Sequence, residues 1–306
     1  MSFRFHLVSI IGVFLALGIG IAIGASVVDR ATVSALERQL DAVGDRADRT
    51  NSENDRLRND VSRWERFADE AGDELVEGRL LGVDVVVVGV QGIDREPIDR
   101  LRQSIVAAGA RLRGTVWLTG KLQLEEPADV ASLSDALVVA PGPADLVRRT
   151  LIERLAGAWA AGESASPLAR LRETGFAELE AVDEATLAPS GTRFVVVAGD
   201  KADVPNDVLA VPLAAELAEL APTRVVAVES GREATAATPA VRAVFVGPLR
   251  GDDDSSSRLS TVDNIESYRG RIAAVLALAD LGPQGKVGHY GVGPRASRMV
   301  PEPASP

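Results

Sequence analysis

The chain has 306 residues, no cysteine and a formal net charge of −11 from 33 basic and 44 acidic residues. Without cysteine it has no disulfide framework, no thiolate metal site, no lipid-anchored cysteine and no cysteine nucleophile. The acidic balance argues against a partner that is bound through its phosphates, so we expect no nucleic acid among the partners.

The N-terminus predicts a membrane span, because no charged residue occurs from Leu7 to Val28. A helix of this length rises about 33 Å, which matches a hydrocarbon core of roughly 30 Å. The apolar residues surround the helix without a polar face, which argues against a buried core helix. We predict an uncleaved signal anchor. The alternative is a cleaved secretion signal that ends near Ala22-Ile23-Gly24 or near Gly24-Ala25-Ser26.

The basic residues beside the span are nearly balanced, with Arg4 on one side and Arg30 and Arg38 on the other. An N-terminal anchor preceded by only a few residues normally exports the chain on its C-terminal side. We therefore expect a single-pass protein of the cell membrane, with residues 1–6 in the cytoplasm, residues 7–28 in the bilayer and the rest outside. Within the span, Gly20 and Gly24 have the spacing that lets two membrane helices pack closely.

Residues 31–76 predict a coiled-coil stalk, because a three-four spacing of apolar residues is kept over six heptads. The seam contains Val33, Leu36, Leu40, Val43, Asn54, Leu57, Val61 and Trp64, with the weaker positions Ala47, Thr50, Ala68 and Ala71.

Asn54 occupies an a position of this seam, where two asparagines can pair and fix the register of a parallel dimer. The flanking charges are mixed: Glu53 would face Arg58 of a second copy, whereas Asp60 would face Glu65. We expect a homo-oligomer, a parallel dimer, or a coiled coil with another envelope protein. A single amphipathic helix and a disordered charged stalk remain alternatives.

Beyond Gly82 the pattern predicts a mostly parallel, layered α/β domain, Rossmann-like, over residues 81–293. We prefer one domain to two small ones divided near Gln123 to Ala136. Predicted strands are Val83–Val90, Thr115–Leu118, Ala136–Ala140, Phe194–Ala198, Arg224–Val228 and Val241–Val246. Predicted helices are Glu96–Ala108, Ala144–Ala161, Pro167–Glu173, Val208–Leu220 and Arg269–Leu281. The tail, residues 294–306, is predicted to be disordered.

The sequence offers no catalytic, cofactor or metal residues that we would assign. Asp200 and Glu229-Ser230 follow predicted strands and could line one crevice, but strand ends are often polar merely because the chain reaches water. His289 is one of two histidines and lacks a nucleophile elbow. Asp252-Asp253-Asp254, beside three serines, is interpreted as a solvated loop. Gly89-Val90-Gln91-Gly92 lacks the spacing of a dinucleotide-binding loop.

Several segments nevertheless carry a resemblance. The span Val8-Ser9-Ile10-Ile11-Gly12 and its continuation precede the stalk, and the C-terminal part contains Ser260-Thr261-Val262-Asp263-Asn264, Gly270-Arg271-Ile272, Ala277-Leu278-Ala279-Asp280-Leu281 and Gly288-His289-Tyr290-Gly291-Val292-Gly293. Together they resemble the actinobacterial MctB family, from Phe5 to Gly293.

This resemblance implies copper transport or efflux and copper homeostasis. The residue types offer no convincing ligand set, because copper(I) favours Cys and Met and copper(II) favours imidazole. The chain has no Cys, only Met1 and Met299, and only His6 and His289. Copper is therefore expected as a transported ion rather than a resident cofactor. The resemblance also extends to SteB-like envelope proteins, which implies an alternative role as a scaffold in cell-wall maintenance and division.

Overall fold

The computed structural model describes residues 3–163, 167–181, 187–231, 243–282 and 285–302. The chain divides into two compact units, Met1–Arg66 and Phe67–Pro306. The first unit belongs to one helix, α1 (Phe3–Val76), whose last turns lie in the second unit. In the first unit the apolar side chains from Leu7 to Ile23 are exposed. The segment His6–Gly24 is long and apolar enough to cross a membrane.

The second unit is built on a seven-stranded sheet in the order β3-β2-β1-β4-β5-β6-β7. Five neighbouring pairs are parallel, and only β2 and β3 are antiparallel. The strands are β1 (Asp84–Val90), β2 (Arg111–Leu118), β3 (Ala177–Ala181), β4 (Arg193–Gly199), β5 (Val225–Ser230), β6 (Ser260–Val262) and β7 (His289–Tyr290).

Helices cover both faces of this sheet, which explains the continuous apolar runs of its central strands. The helices are α2 (Arg95–Ala107), α3 (Pro127–Leu137), α4 (Ala144–Ala161), α5 (Leu168–Glu173), α6 (Ala210–Leu220), α7 (Val246–Gly251), α8 (Asp253–Arg258) and α9 (Tyr268–Asp280), with a 3-10 turn at Gly120–Gln123.

Side chains of one strand alternate between two cores, as the period of two along a strand requires. Val86 and Val88 of β1 join the core that contains residues of α3 to α7. Val85 and Val87 join the opposite core, which contains residues of α2 and α9 together with Val76 at the end of α1. The predicted α/β class with a mostly parallel sheet is confirmed.

Two predicted strands are wrong. Ala136–Ala140 is instead the end of α3 and its left-handed cap Val138, which has φ 55°. Ala136 and Leu137 are both buried on one side of this helix, and such short apolar runs do not distinguish helix from strand. Of the predicted strand at 241–246, residues 241–242 lie outside the described residues, and the rest forms a turn and the start of α7.

Two predicted loops are also ordered elements. The acidic run at Asp252 begins helix α8, because the Asp252 carboxylate accepts hydrogen bonds from the Ser255 amide at 2.9 Å and from its hydroxyl at 2.6 Å. The disorder predicted from Pro294 is wrong as far as Glu302. Ser297 donates its amide to the His289 carbonyl at 2.8 Å, and Gly291 donates to that of Arg298 at 2.8 Å. Residues 303–306 lie outside the described residues.

Candidate functional site

A small crevice opens at the carboxyl edge of the sheet, where the loops after β1, β4 and β5 meet. It has a volume of about 110 Å³ and is lined by Ile93, Asp94, Asp200, Lys201, Ser230, Gly231 and Glu266. Asp200 and Ser230, which the sequence suggested as lining one crevice, therefore do lie together. Glu266, between β6 and α9, was missed because nothing in its local sequence distinguishes it from a solvated loop residue.

Glu266 is the most constrained carboxylate of this crevice. Its Oε1 accepts hydrogen bonds from the Ser230 hydroxyl at 2.8 Å and from the Gly231 amide at 2.9 Å. Burial raises the pKa of Glu266, and the nearby Asp200 carboxylate acts in the same direction. Among the described residues its Oε2 has no hydrogen-bond partner, and this oxygen is shielded from solvent. Glu266 therefore lines the crevice, but its Oε2 is closed off from it.

Backbone contacts hold the crevice loops close together. The Asp203 amide donates to the Gln91 carbonyl at 2.7 Å, which ties the loop after β4 to the end of β1. Gly92 has φ +95°, and a Cβ there would lie 2.2 Å from the Lys201 carbonyl oxygen. The turn Gly89 to Gly92 therefore serves this close approach of two backbones.

Glu229, the other acidic strand-end residue, does not line the crevice. It is 2% exposed, and its carboxylate accepts the amides of Val244, Phe245 and Val246 at 2.9, 3.0 and 2.8 Å. Burial raises the pKa of Glu229 to about 7, against the opposing effect of these three amides. Its role is to order the backbone that leads into α7.

A second cluster joins two of the segments that carry the family resemblance, residues 260–264 and 288–293, through Arg250. The Arg250–Asp263 ion pair has a separation of 2.9 Å, and both side chains are 0% exposed. Arg250 also donates to the Thr261 hydroxyl at 2.7 Å and to the carbonyls of Tyr290 and Pro294 at 2.7 and 3.0 Å. We call this the C-terminal clamp.

Asp263 completes the clamp by accepting two backbone amides, Val292 at 2.8 Å and Gly293 at 3.0 Å. A Cβ at Gly291 would lie 1.9 Å from the Asp263 carboxylate, and one at Gly293 would lie 2.8 Å from it. A Cβ at Gly270 would lie 2.0 Å from the Asn264 carbonyl oxygen. These glycines are needed because the backbone passes too close for any side chain.

His289 belongs to the clamp rather than to a metal centre. Its Nδ1 lies 3.0 Å from the Thr261 hydroxyl. Burial lowers the pKa of His289, and the charge of Arg250 acts in the same direction. Among the described residues no group of three His, Cys, Asp or Glu side chains is arranged to hold a metal ion. Met299 is half-exposed in the tail.

The predicted seam lies along the first unit. Leu36, Leu40, Val43, Leu57, Val61 and Trp64 are between 51% and 70% exposed, whereas the side chain of Val33 lies outside the described residues. Asn54 donates its side-chain amide to the Thr50 carbonyl of its own helix at 3.0 Å. Gly20 and Gly24 have open space where a Cβ would stand. Helix formation at these positions agrees with the prediction, and pairing between helices stays a prediction.

The comparisons with known proteins cover nearly the whole chain. The family described as "Copper transport outer membrane protein, MctB" matches residues 1–301. The chain is 31% identical, over 310 residues, to the protein named "Copper transporter MctB" in Mycobacterium bovis and to that in Mycobacterium tuberculosis, with 96% of each chain covered. The protein of the same name in Mycobacterium leprae is 28% identical over 98% of this chain and 99% of its own.

The matching family and the named relatives define a class of copper transport proteins, which is not an enzyme family. The chain belongs to the MctB family. The resemblance predicted from the two ends of the sequence is confirmed, and the relatives' names favour copper transport over the envelope scaffold.

Proposed function

We propose that the chain is a membrane-anchored component of copper transport and copper homeostasis in the cell envelope. The observation that carries this proposal is the family match over residues 1–301, supported by relatives named copper transporters that align over 96% of both chains. Copper is the substrate here. The described residues hold no group of three ligands that suits a metal ion, so the proposed contribution is to assemble a transport complex rather than to store the ion.

Assembly would proceed through the seam. Six large apolar side chains, from Leu36 to Trp64, stay more than half exposed along one helix of the single chain. Exposed apolar surface of this extent is rare unless a partner covers it, and the heptad spacing suits a second helix. A parallel homodimer is the proposed occupant, with Asn54 pairing across its axis. Gly20 and Gly24 would allow the membrane segments of the two copies to approach.

The proposed topology depends on the anchor. The apolar segment His6–Gly24 would remain uncleaved in the cell membrane, with the short N-terminus in the cytoplasm. The stalk, residues 31–76, and the α/β unit would then lie on the far side of that membrane.

Copper content in a deletion strain tests the copper role. Loss of the gene should raise cell-associated copper, and the native gene should restore it. A Leu40→Asp, Leu57→Asp double variant should fail to restore it at equal protein level, because two buried charges would separate the helices. The matched control is Ser52→Asp with Asn59→Asp, which adds two negative charges at f positions on the outer face.

Two outcomes would contradict the proposal. Unchanged copper in the deletion strain, together with septal or wall defects, would support the scaffold alternative instead. Full restoration of copper export by the seam variant would show that transport does not require the coiled coil. Light scattering of the purified full chain in detergent would then show whether the seam forms a dimer at all.

A further inference from the structure

A groove larger than the crevice lies between the end of α1, helix α9 and the C-terminal segment. It has a volume of about 270 Å³, and its apolar wall includes Leu75, Ile272, Leu276 and Val300. All of these residues belong to the second unit. Leu75 is 59% exposed and Val300 is 37% exposed, so the rim of this wall is open to solvent. Exposed apolar surface beside a groove commonly marks an interaction site.

The heptad spacing of the seam continues to this groove. Val61 and Ala68 occupy a positions, and Leu75 follows seven residues later in the same helix. In a parallel dimer each a residue packs against the same residue of the second copy. In the proposed dimer the rim of the groove at Leu75 would therefore face the second copy.

Two charged residues beside Leu75 suit the same arrangement. Glu74 occupies the g position before it, whereas Arg79, five residues beyond Glu74, lies in the turn after α1 and lines the groove. A g residue of one parallel helix faces the residue five positions further along the other helix. Glu74 of each copy would thus lie near Arg79 of the other, and both pairs would attract.

The charges that line the groove are balanced. Arg79 and Arg269 line it together with Asp280 and Glu302. A two-fold interface joins the same patch on both copies, so the patch must be complementary to itself. A groove of one charge sign would repel its copy, whereas two basic and two acidic side chains can pair across the axis. The charge pattern therefore favours a second copy of this chain over a strongly charged partner.

We propose that this groove is the interface through which the α/β units of two copies pair, with Leu75 of each copy packed against Leu75 of the other. Glu74 of one copy would bind Arg79 of the other on each side of the axis. This inference rests on the proposed parallel dimer and extends it beyond the stalk. It gives the dimer a second contact, in the part of the chain that carries the sheet.

Crosslinking of single-cysteine variants tests this interface, because the chain has no cysteine of its own. Leu57→Cys reports the seam and Leu75→Cys reports the groove, each in the full chain in isolated membranes treated with a short bismaleimide. Both variants should give a covalent dimer. A Leu57→Cys dimer without a Leu75→Cys dimer would overturn the groove interface, leave the seam intact and assign the groove to another occupant. No dimer from either variant would overturn the proposed parallel dimer and this inference together.

Charge reversal in the Leu75→Cys background tests the pairing itself. Glu74→Arg and Arg79→Glu should each slow crosslinking by about fivefold, because like charges then face each other. The double reversal should restore the native rate, since the opposite charges are merely exchanged. The matched control is Glu77→Arg, which makes the same charge change at a c position on the outer face and should leave the rate unchanged. None of these changes should alter crosslinking of Leu57→Cys.

The wall of the groove supplies an independent readout. Ala279 is half-buried and lines the groove, so the thiol of Ala279→Cys should react slowly with N-ethylmaleimide in the paired state. Glu74→Arg should make this thiol react faster, and Glu77→Arg should not. Crosslinking rates or thiol reactivities that are the same in the native, Glu74→Arg and Glu77→Arg backgrounds would overturn the proposal.

Discussion

Arg250 and Asp263 place two opposite charges inside the α/β unit, where neither side chain reaches solvent. Such a pair is stable only when its remaining hydrogen-bonding groups are also satisfied, and here two amides, two carbonyls and a hydroxyl satisfy them. Thr261, Asp263 and Gly293, which lie in segments that carry the family resemblance, are therefore explained by packing around this pair.

Asp263→Asn should destabilise the protein by about 3–5 kcal/mol, because it leaves Arg250 buried without a counter-charge. Urea unfolding of the full chain in detergent measures the loss. Glu96→Gln serves as the control, since it breaks an exposed i,i+4 pair with Arg100 and should change stability by less than about 1 kcal/mol. Equal losses in the two variants would contradict the structural role of the clamp.

Glu229 predicts a pH dependence of stability. Its pKa is raised from 4.5 to about 7 in the folded protein, so folding favours the protonated form. The stabilisation is complete below the unfolded pKa and is lost as the pH rises through the folded one. This amounts to about 3 kcal/mol between pH 4.5 and 7.

In Glu229→Gln the contribution of this residue to the pH dependence of the free energy of unfolding should disappear. The stability at pH 5 should also fall, because the side-chain amide cannot accept hydrogen bonds from all three backbone N–H groups. Urea midpoints at pH 5, 6 and 7.5 measure both effects. A variant that kept the native slope over this interval would show that another group is responsible.

At the scale of elements, the sequence largely predicted the buried strands and the amphipathic helices. It did not predict strands that are polar or only two residues long. The apolar runs of β1, β4 and β5 predicted buried strands correctly. Strand β3 alternates alanine or leucine with Glu178 and Glu180 at the edge of the sheet, so no continuous apolar run marks it. Strand β7 has only two residues, so it can be identified as a strand only from its pairing with β6 and not from its own sequence.

The stalk makes the sharpest prediction for a single element. If Asn54 lies at an a position of a parallel dimer, Asn54→Val should tighten association, because burial of the valine replaces a buried amide. Sedimentation of the full chain in detergent over a range of concentrations measures this. Asn59→Val, the same change at an f position, should leave association unchanged. Weaker association of Asn54→Val would contradict the heptad assignment.

For the whole molecule, the absence of cysteine from the sequence makes topology directly measurable. Ser2→Cys and Ala304→Cys each introduce a single thiol at one end of the chain. In intact cells a membrane-impermeant maleimide should label Ala304→Cys and not Ser2→Cys. After lysis both should react. The reverse pattern would invert the proposed orientation, and loss of the Ser2→Cys thiol from the mature protein would indicate cleavage of the anchor.

The candidate site was only half predictable at this scale. Asp200 and Ser230 could be placed at one edge because parallel strands share their carboxyl ends. Glu266 is distant in the sequence from both β4 and the end of β1, and its position depends on how β6 and α9 pack. The clamp likewise joins Arg250, Asp263 and Gly293, whose association is set by tertiary structure and not by any local pattern.

The clamp also has a consequence for the order in which the protein can be made. Asp263 and Arg250 acquire four of their partners only from Tyr290 to Pro294. A growing chain can pair β1, β2, β4 and β5 early, but it cannot satisfy this buried ion pair until residues 290–294 have been synthesised. Nascent chains stopped before residue 290 should therefore stay protease-sensitive, and export must deliver the chain as far as Pro294 before the unit can close.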